Sequence, residues 1–523
     1  MKQLCTLITF VFFSTTASFA QEYDVLIRGG KIVDGTGNAW FYGDVAIKNG
    51  KIARVGQWPN ATAKKILDAK GLIVSPGFID VHTHIEEDEF RLPTADNFIY
   101  DGVTTVVTGN CGLSNVDLGL YFKQLDSVKT SVNVASLIGH NDVRKAVMGT
   151  ANRFATTEEQ QRMEALVEKA MKDGAYGLAT GLIYVPGTYS NTEEVVGLAK
   201  VAARYGGVYA SHIRYEGDEV LTAIEEAVNI GRQAAIPVQI SHFKVSGQNN
   251  WGRSKETIAA VENARREGID VTIDQYPYTA SSTGLNTLLP SWALAGGLDS
   301  IKARVNDPAT RQRMVKEMVA TLKRRKQNHF TYAVVAYYDA DTTLNGKNIE
   351  EINLLKGRKH KATVEAETIM EMAVKGGASM VFHGMGDWDV ENIMRYPQNM
   401  FASDASIRVY NFGVPHPRGY GTNARVLGYY VRQKKIIPLE EAIRRMTSLP
   451  AQKFKLAERG LLQAGRVADV LVFDENTIID VSTYDRPHQY SRGMKYVIVN
   501  GELVVENEKH TGLRAGKVLR KGE

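Results

Sequence analysis

Three rhythms of apolar and polar residues follow one another along this chain. From residue 22 to 75, short apolar runs alternate with polar turns: Asp24-Val-Leu-Ile-Arg-Gly-Gly30, Lys31-Ile-Val33, Asp44-Val-Ala-Ile-Lys-Asn-Gly50 and Lys51-Ile-Ala-Arg-Val55. Such runs read as strands, and Asn49-Gly50 between two of them is a hairpin signal. The C-terminal part has the same texture in Asp469-Val-Leu-Val-Phe473, Tyr496-Val-Ile-Val-Asn-Gly501 and Glu502-Leu-Val-Val505. The two ends, residues 21–76 and 455–523, are expected to pair into one composite β-sandwich.

Between them, residues 77–454 alternate strand-like runs with helical stretches, the pattern of a parallel β/α architecture. The strand candidates are Leu72 to Val81, Val103 to Thr108, Val132 to Ile138, Ala175 to Thr180, Gly207 to Ser211, Ile236 to Ser241, Ile269 to Ile273 and Met400 to Ser403. Ser379-Met-Val-Phe-His383 reads as a further strand and leaves the count of eight open. The clearest helix starts at Thr157, with Gln160 three residues on as a capping box, and stops at Gly174. Its Met163, Leu166, Val167, Ala170 and Met171 recur at helical spacing and predict one buried face. Residues 285–365 break the alternation; they are charged and largely helical, and read as an inserted lid subdomain. The expected fold class is α/β: a (β/α)8 TIM-like barrel with a small β-sandwich built from both chain ends and an inserted lid.

Composition narrows the class. The chain has 523 residues, 44% apolar, 23% charged, with a net charge of +5, as for a globular enzyme. Basic clusters such as Lys323-Arg-Arg-Lys326 read as solvated helix faces, and nothing resembles a nucleic-acid groove. Lys2, the apolar run Leu4 to Phe13 and Ser18-Phe-Ala20 predict a secretory signal over residues 1–20, cleaved before Gln21. The apolar run is too short to span a bilayer, so an exported protein, periplasmic or secreted, without membrane insertion after cleavage is expected. Cys111 would then be the lone cysteine of the mature chain, with no internal disulfide. Nothing in the pattern sets an oligomeric state.

The chemistry gathers at the ends of the strand-like runs. In Gly77-Phe-Ile-Asp-Val-His-Thr-His84 the histidines are spaced i, i+2, so His82 and His84 point the same way from an extended strand. Cys111 lies in Thr108-Gly-Asn-Cys-Gly112, with glycines on both sides to let the backbone turn. His212 ends Tyr209-Ala-Ser-His212, His242 ends Gln239-Ile-Ser-His242, and Asp404 ends Phe401-Ala-Ser-Asp404. A barrel with its site at the strand C-termini would bring these six together. Thiolate, imidazole and carboxylate donors favour zinc over magnesium or calcium. Zinc lowers the pKa of a bound water to about 7, so hydroxide is available at neutral pH, and Asp404 can carry its proton to a leaving amine.

With these residues in place, the chain resembles the amidohydrolase superfamily, and within it the D-aminoacylase (N-acyl-D-amino-acid deacylase) family. The motif ending in His84 matches the superfamily. Gly109-Asn-Cys-Gly112, Ser211-His-Ile-Arg-Tyr-Glu216, Ser241-His-Phe-Lys244, Tyr276-Pro-Tyr-Thr-Ala280, His416-Pro-Arg418 and the tail Thr511 to Arg520 resemble the deacylase family in particular. Many superfamily members bridge two metals with a carboxylated lysine, whereas the deacylases use a cysteine, which Cys111 matches. The resemblance implies one zinc bound tightly by Cys111, His212 and His242, and a second, weaker position at His82, His84 and Asp404. It also implies a small-molecule substrate with a free carboxylate, contacted by Tyr184, Tyr276, Ser282 and Arg418. Lys244, two residues past His242, is expected to share its face and join them. The loop Ala405 to Pro415 departs from the family's usual His-rich sequence. The expected reaction is cleavage of N-acyl-D-amino acids to a carboxylate and a free D-amino acid, by metal-hydroxide attack with Asp404 as the catalytic proton shuttle. The alternatives are a cyclic-amide or D-dipeptide hydrolase on the same scaffold, or a non-catalytic binding barrel.

Overall fold

The computed structural model describes residues 22–522. The expected signal segment, residues 1–20, lies outside the described residues. Eight parallel strands form the centre: Phe78–Asp80, Val103–Thr108, Asn133–Ser136 (continued by Ile138–Gly139), Gly177–Gly181, Val208–His212, Val238–Ile240, Val271–Gln275 and Asn399–Phe401. Each pairs in parallel with the next, in registers such as Ile79↔Thr105, Leu178↔Ile138, Tyr209↔Val238 and Ile273↔Asn399. The first and eighth strands meet just beyond their ends. A parallel bridge joins Thr83 to Ala405, with Asp404 N–H donating to the His82 carbonyl and His84 N–H to that of Ala405, both at 2.9 Å. That seam closes the ring.

The strands are apolar on both faces because both are covered, as parallel sheets require. Inside, Ile79, Val81, Val107, Ala135, Ala179, Val208, Ala210, Met400 and Ala402 fill the barrel, so it is a packed core rather than a pore. Outside, the helices lay one apolar stripe on the ring. In the helix Thr157–Lys172 that stripe is Met163, Val167, Ala170 and Met171. Its capping box sits one residue earlier than its sequence reading: Thr156 is the cap and Glu159 its partner, because extended backbone at Thr156 leaves Thr157 already helical.

Strands from both chain ends share one nine-stranded sheet, in which Ile73–Pro76 pairs antiparallel with Val470–Phe473. Lys51 also bridges to Val467, so the sheet folds back on itself over an apolar core that includes Ile27, Ile47, Ile52, Val470 and Val472. The tail then runs under the barrel, where Val134 N–H donates to the Lys517 carbonyl and Leu519 N–H to that of Val134.

The insertion between the seventh and eighth barrel strands is wider than residues 285–365. Its antiparallel sheet consists of Ala280–Gly284, Ser379–His383 and Ala333–Tyr337. Ser379–His383 therefore belongs to the insertion and not to the ring, so the count of eight stands. The insertion has its own core, including Leu285, Met314, Phe330, Ile369 and Met380.

Candidate metal centre

The six residues at the strand ends converge. Cys111 Sγ lies 3.3 Å from His82 Nε2, 3.5 Å from His212 Nδ1 and 3.6 Å from His242 Nε2. His84 Nε2 is 3.2 Å from Asp404 Oδ1, and His82 Nε2 is 3.6 Å from the same oxygen. Cys111, His242 and Asp404 all have positive φ, at 53°, 36° and 51°. Backbone held in this region by non-glycine residues costs about 1–3 kcal/mol each and clusters at functional sites. Glycine supplies the turn beside the thiol: Gly112 has a φ of 78°, and a Cβ there would meet Asn141 Oδ1 at 2.2 Å.

Carboxylates stand near the outer nitrogens. Asp274 Oδ1 lies 3.3 Å from His82 Nδ1 and accepts the His242 N–H at 2.7 Å. Glu216 Oε1 lies 3.1 Å from His242 Nδ1 and 3.9 Å from His212 Nε2. A carboxylate on the far nitrogen fixes the tautomer and leaves the inner lone pair free for a metal; Glu216 is within that reach of His242, while the outer nitrogens of His82 and His212 are buried without a hydrogen-bond partner. Asp274 had no signal in the sequence beyond its place in a strand. Glu216 lay inside a recognised motif but had no assigned role there.

Charges follow from the packing. Burial pushes the Cys111 thiol up, but the imidazoles, His82 foremost, outweigh it and hold the thiol well below its usual range. Burial likewise opposes ionisation of Asp404, and the Arg418 guanidinium and His82 overcome it, keeping its carboxyl well below the usual carboxylate range. Glu216 is held low against its burial by Lys244, then by His212 and His242. His212 Nδ1 and His242 Nε2 are 2.6 Å apart, both beside a thiolate. Only one proton fits between two such nitrogens, whereas one cation serves all three donors. For Zn–S and Zn–N bonds of about 2.3 and 2.0 Å, tetrahedral sulfur and nitrogen donors lie roughly 3.5 Å apart, as the sulfur–nitrogen distances do here, while the two nitrogens at 2.6 Å would part to roughly 3.3 Å around the ion. The residues present fit zinc.

A cavity of about 670 Å³ opens from this cluster, lined among others by His84, Glu86, Cys111, Tyr184, Ser282, Thr283, Asp404, Arg408 and Arg418. Arg418 Nη1 is 2.8 Å from Asp404 Oδ2, and its guanidinium lies 4.5 Å from the Tyr276 ring centroid. The Tyr184 hydroxyl accepts from Thr283 Oγ1 at 3.0 Å, which leaves its own O–H to donate. The Ser282 hydroxyl is taken by the Met380 carbonyl at 2.9 Å.

Lys244 and Tyr276 do not line this cavity. Lys244 is buried, with Nζ 2.5 Å from Glu216 Oε1 and 2.8 Å from His242 Nδ1. The face-sharing expectation assumed an extended strand. The strand ends at Ile240, and the backbone turns at His242, so alternation no longer governs where Lys244 points. Tyr276 lies beneath Arg418, its hydroxyl buried without a hydrogen-bond partner. Arg408, from the divergent loop and without an expected role, lines the cavity instead. His140 is spent on Glu194, at 2.8 Å, in a buried cluster with Arg144. His383 stands on the insertion's sheet against Tyr484.

A closed ring of parallel strands, with thiolate, imidazole and carboxylate donors at their C-terminal ends, defines a metal-dependent barrel enzyme. The chain belongs to the amidohydrolase family, whose model matches residues 65–505. It is 34% identical to a D-aminoacylase of Alcaligenes xylosoxydans xylosoxydans, over 96% of this chain and 98% of that one. A crystal structure of D-aminoacylase superposes with a TM-score of 0.82 at 35% identity, covering 95% of this chain and all of the other (100%). N-acyl-D-glutamate deacylase of Bordetella bronchiseptica, solved with zinc and a phosphonate mimic of the tetrahedral intermediate, gives 0.81 at 34% identity, covering 95% and 99%.

Proposed function

We propose that this chain is a zinc-dependent hydrolase of N-acyl-D-amino acids, releasing a carboxylate and the free D-amino acid. The observation that carries the reading is Cys111 among His82, His212 and His242, with Asp404 between that cluster and a cavity bearing two arginines. Cys111, His212 and His242 would hold the tighter zinc; His82, His84 and Asp404 would hold a weaker one. When bound, zinc supplies a Lewis acid for the acyl oxygen and makes water a nucleophile at neutral pH.

The chain's own groups do the rest. Asp404, ionised beside Arg418, takes the proton of the attacking water at its carboxylate and passes it to the leaving amine nitrogen. Arg418 faces the cavity and offers a guanidinium to the substrate carboxylate, a group it can grip through two bonds. The free Tyr184 O–H is placed to donate to substrate oxygen. Lys244 acts through Glu216, fixing the outer side of His242.

The test is a screen of purified protein against N-acetyl-D- and N-acetyl-L-amino acids, dipeptides and hydantoins. Turnover of the D-acids, lost on chelation, is expected; turnover of only L-acids or hydantoins would overturn the reading. Export belongs to the same proposal: chain isolated from its native host is expected to begin at Gln21, and a cytoplasmic chain starting at Met1 would refute it.

Arg418→Met should show a double effect. A hydrogen bond to a charged group is worth about 1.5–3 kcal/mol, so KM rises roughly 10- to 100-fold. Arg418 also depresses the Asp404 carboxyl. Without it, Asp404 takes up its proton at higher pH, so the acid limb of the pH–kcat profile moves to more alkaline values. A KM change with an unmoved limb would separate Arg418 from Asp404.

A further inference from the structure

The inserted subdomain carries a second group of metal-type donors that the reaction does not use. His329 precedes the turn Phe330–Tyr332 and the strand Ala333–Tyr337; Glu350 lies on the helix Ile349–Leu355; His360 lies in the following loop; Glu365 lies on the helix Ala362–Val374. One donor atom from each of the four lies within 4.8 Å of the others. His329 Nδ1 is 2.5 Å from Glu365 Oε1 and 3.6 Å from Glu350 Oε1. His360 Nε2 contacts that same Glu350 oxygen. The side chain of Glu365 is fully buried, and its second oxygen accepts the Phe330 N–H at 2.8 Å.

Four donors crowd one small volume. The short imidazole–carboxylate contacts are hydrogen bonds, and a carboxylate accepts, so the ring nitrogens that face them carry the protons. The two rings stack with centroids 4.1 Å apart and planes 21° from parallel, which turns both nitrogens toward the same pair of carboxylates. A divalent cation can take the place of those protons: it balances both carboxylates and is bound by the same two ring nitrogens. Zinc bonds of about 2.0–2.2 Å put tetrahedral nitrogen and oxygen donors roughly 3.4 Å apart, within the spread found here. Four protein donors and no place in the reaction cavity describe a closed, structural site rather than a catalytic one.

We propose that His329, Glu350, His360 and Glu365 bind a structural zinc-type divalent ion in the inserted subdomain. The ion pins the start of one strand to two helices at the edge of the insertion's apolar core. It is independent of the Cys111 cluster, so its failure would leave the proposed reaction untouched.

The experiment loads the full chain with Zn²⁺, desalts it, and measures zinc per chain, turnover and the melting temperature. The comparison is with His360→Gln and with the double variant His329→Gln/His360→Gln. Both variants are expected to retain one zinc fewer than the parent, to keep its turnover, and to lose the part of the zinc-dependent rise in melting temperature that survives in Cys111→Ala. His360 is half-exposed, at 53%, so His360→Gln keeps the test open if the double variant unfolds. Zinc content equal in the parent and His360→Gln, with all zinc lost in Cys111→Ala, would overturn the proposal and leave a hydrogen-bonded His–Glu cluster.

Discussion

Asp404→Asn protein is expected to fold, to keep zinc at Cys111, and to turn over at least about a hundredfold more slowly, the scale of general acid–base assistance. The fold should survive because the seam of the barrel uses the Asp404 backbone, not its carboxylate: its N–H donates to His82. Its φ of 51° lies in a region that asparagine tolerates well. The loss should be chemical. An amide cannot accept the water proton at neutral pH, and the amine would then leave as a poor anion. The ion pair with Arg418 also disappears, so the diagnostic quantity is kcat and not KM. Metal content and kcat measured on one preparation decide the matter. A mutant with near-normal kcat and full zinc would move the base to Glu216, a second carboxylate held ionised beside the cluster.

Cys111→Ala is expected to remove zinc and activity together. Changes to groups that merely orient ligands typically cost 10–100-fold in metal affinity or activity, and loss of a ligand should exceed that. The thiolate touches three imidazoles, so its removal leaves His212 and His242 facing each other with neither the anion nor the ion between them. In the parent, alkylation of Cys111 should be blocked while metal is bound and should proceed after chelation. Full zinc content and turnover in Cys111→Ala would reduce the thiol to packing. Alanine also inherits the positive φ, so Cys111→Ser serves as a control for backbone strain.

The ring of strands was legible because its strands are continuous apolar runs, a pattern that burial on both faces imposes. The six strand-end residues were legible for a related reason. Each ends such a run, and a barrel gathers strand ends whatever their distance in sequence. What was not legible depends on closure. Asp274 reads as a polar position in Val-Thr-Ile-Asp-Gln275, and its tie to His82 exists only once the first and seventh strands face each other. Lys244 was misdirected by extending strand alternation past Ile240. The insertion was placed too narrowly because Ala280–Gly284, Ala-Ser-Ser-Thr-Gly, has none of the β-branched apolar texture that marks a strand. Arg408 came from the stretch that departs from the family, where resemblance had nothing to carry over.

The closing seam sets an order of assembly. His82 and His84 belong to the first barrel strand and Asp404 to the eighth, and the same backbone bonds that shut the ring bring them together. Before that moment an ion meets a bare pair of histidines here. A preformed site rarely exists in an unfolded chain, and this one is divided among five strands. Metal capture therefore follows folding instead of nucleating it. The position of Cys111, His212 and His242 needs the second, fifth and sixth strands, whereas that of His82, His84 and Asp404 waits for the synthesis and docking of the eighth, so a chain truncated before Asp404 would lack the second position.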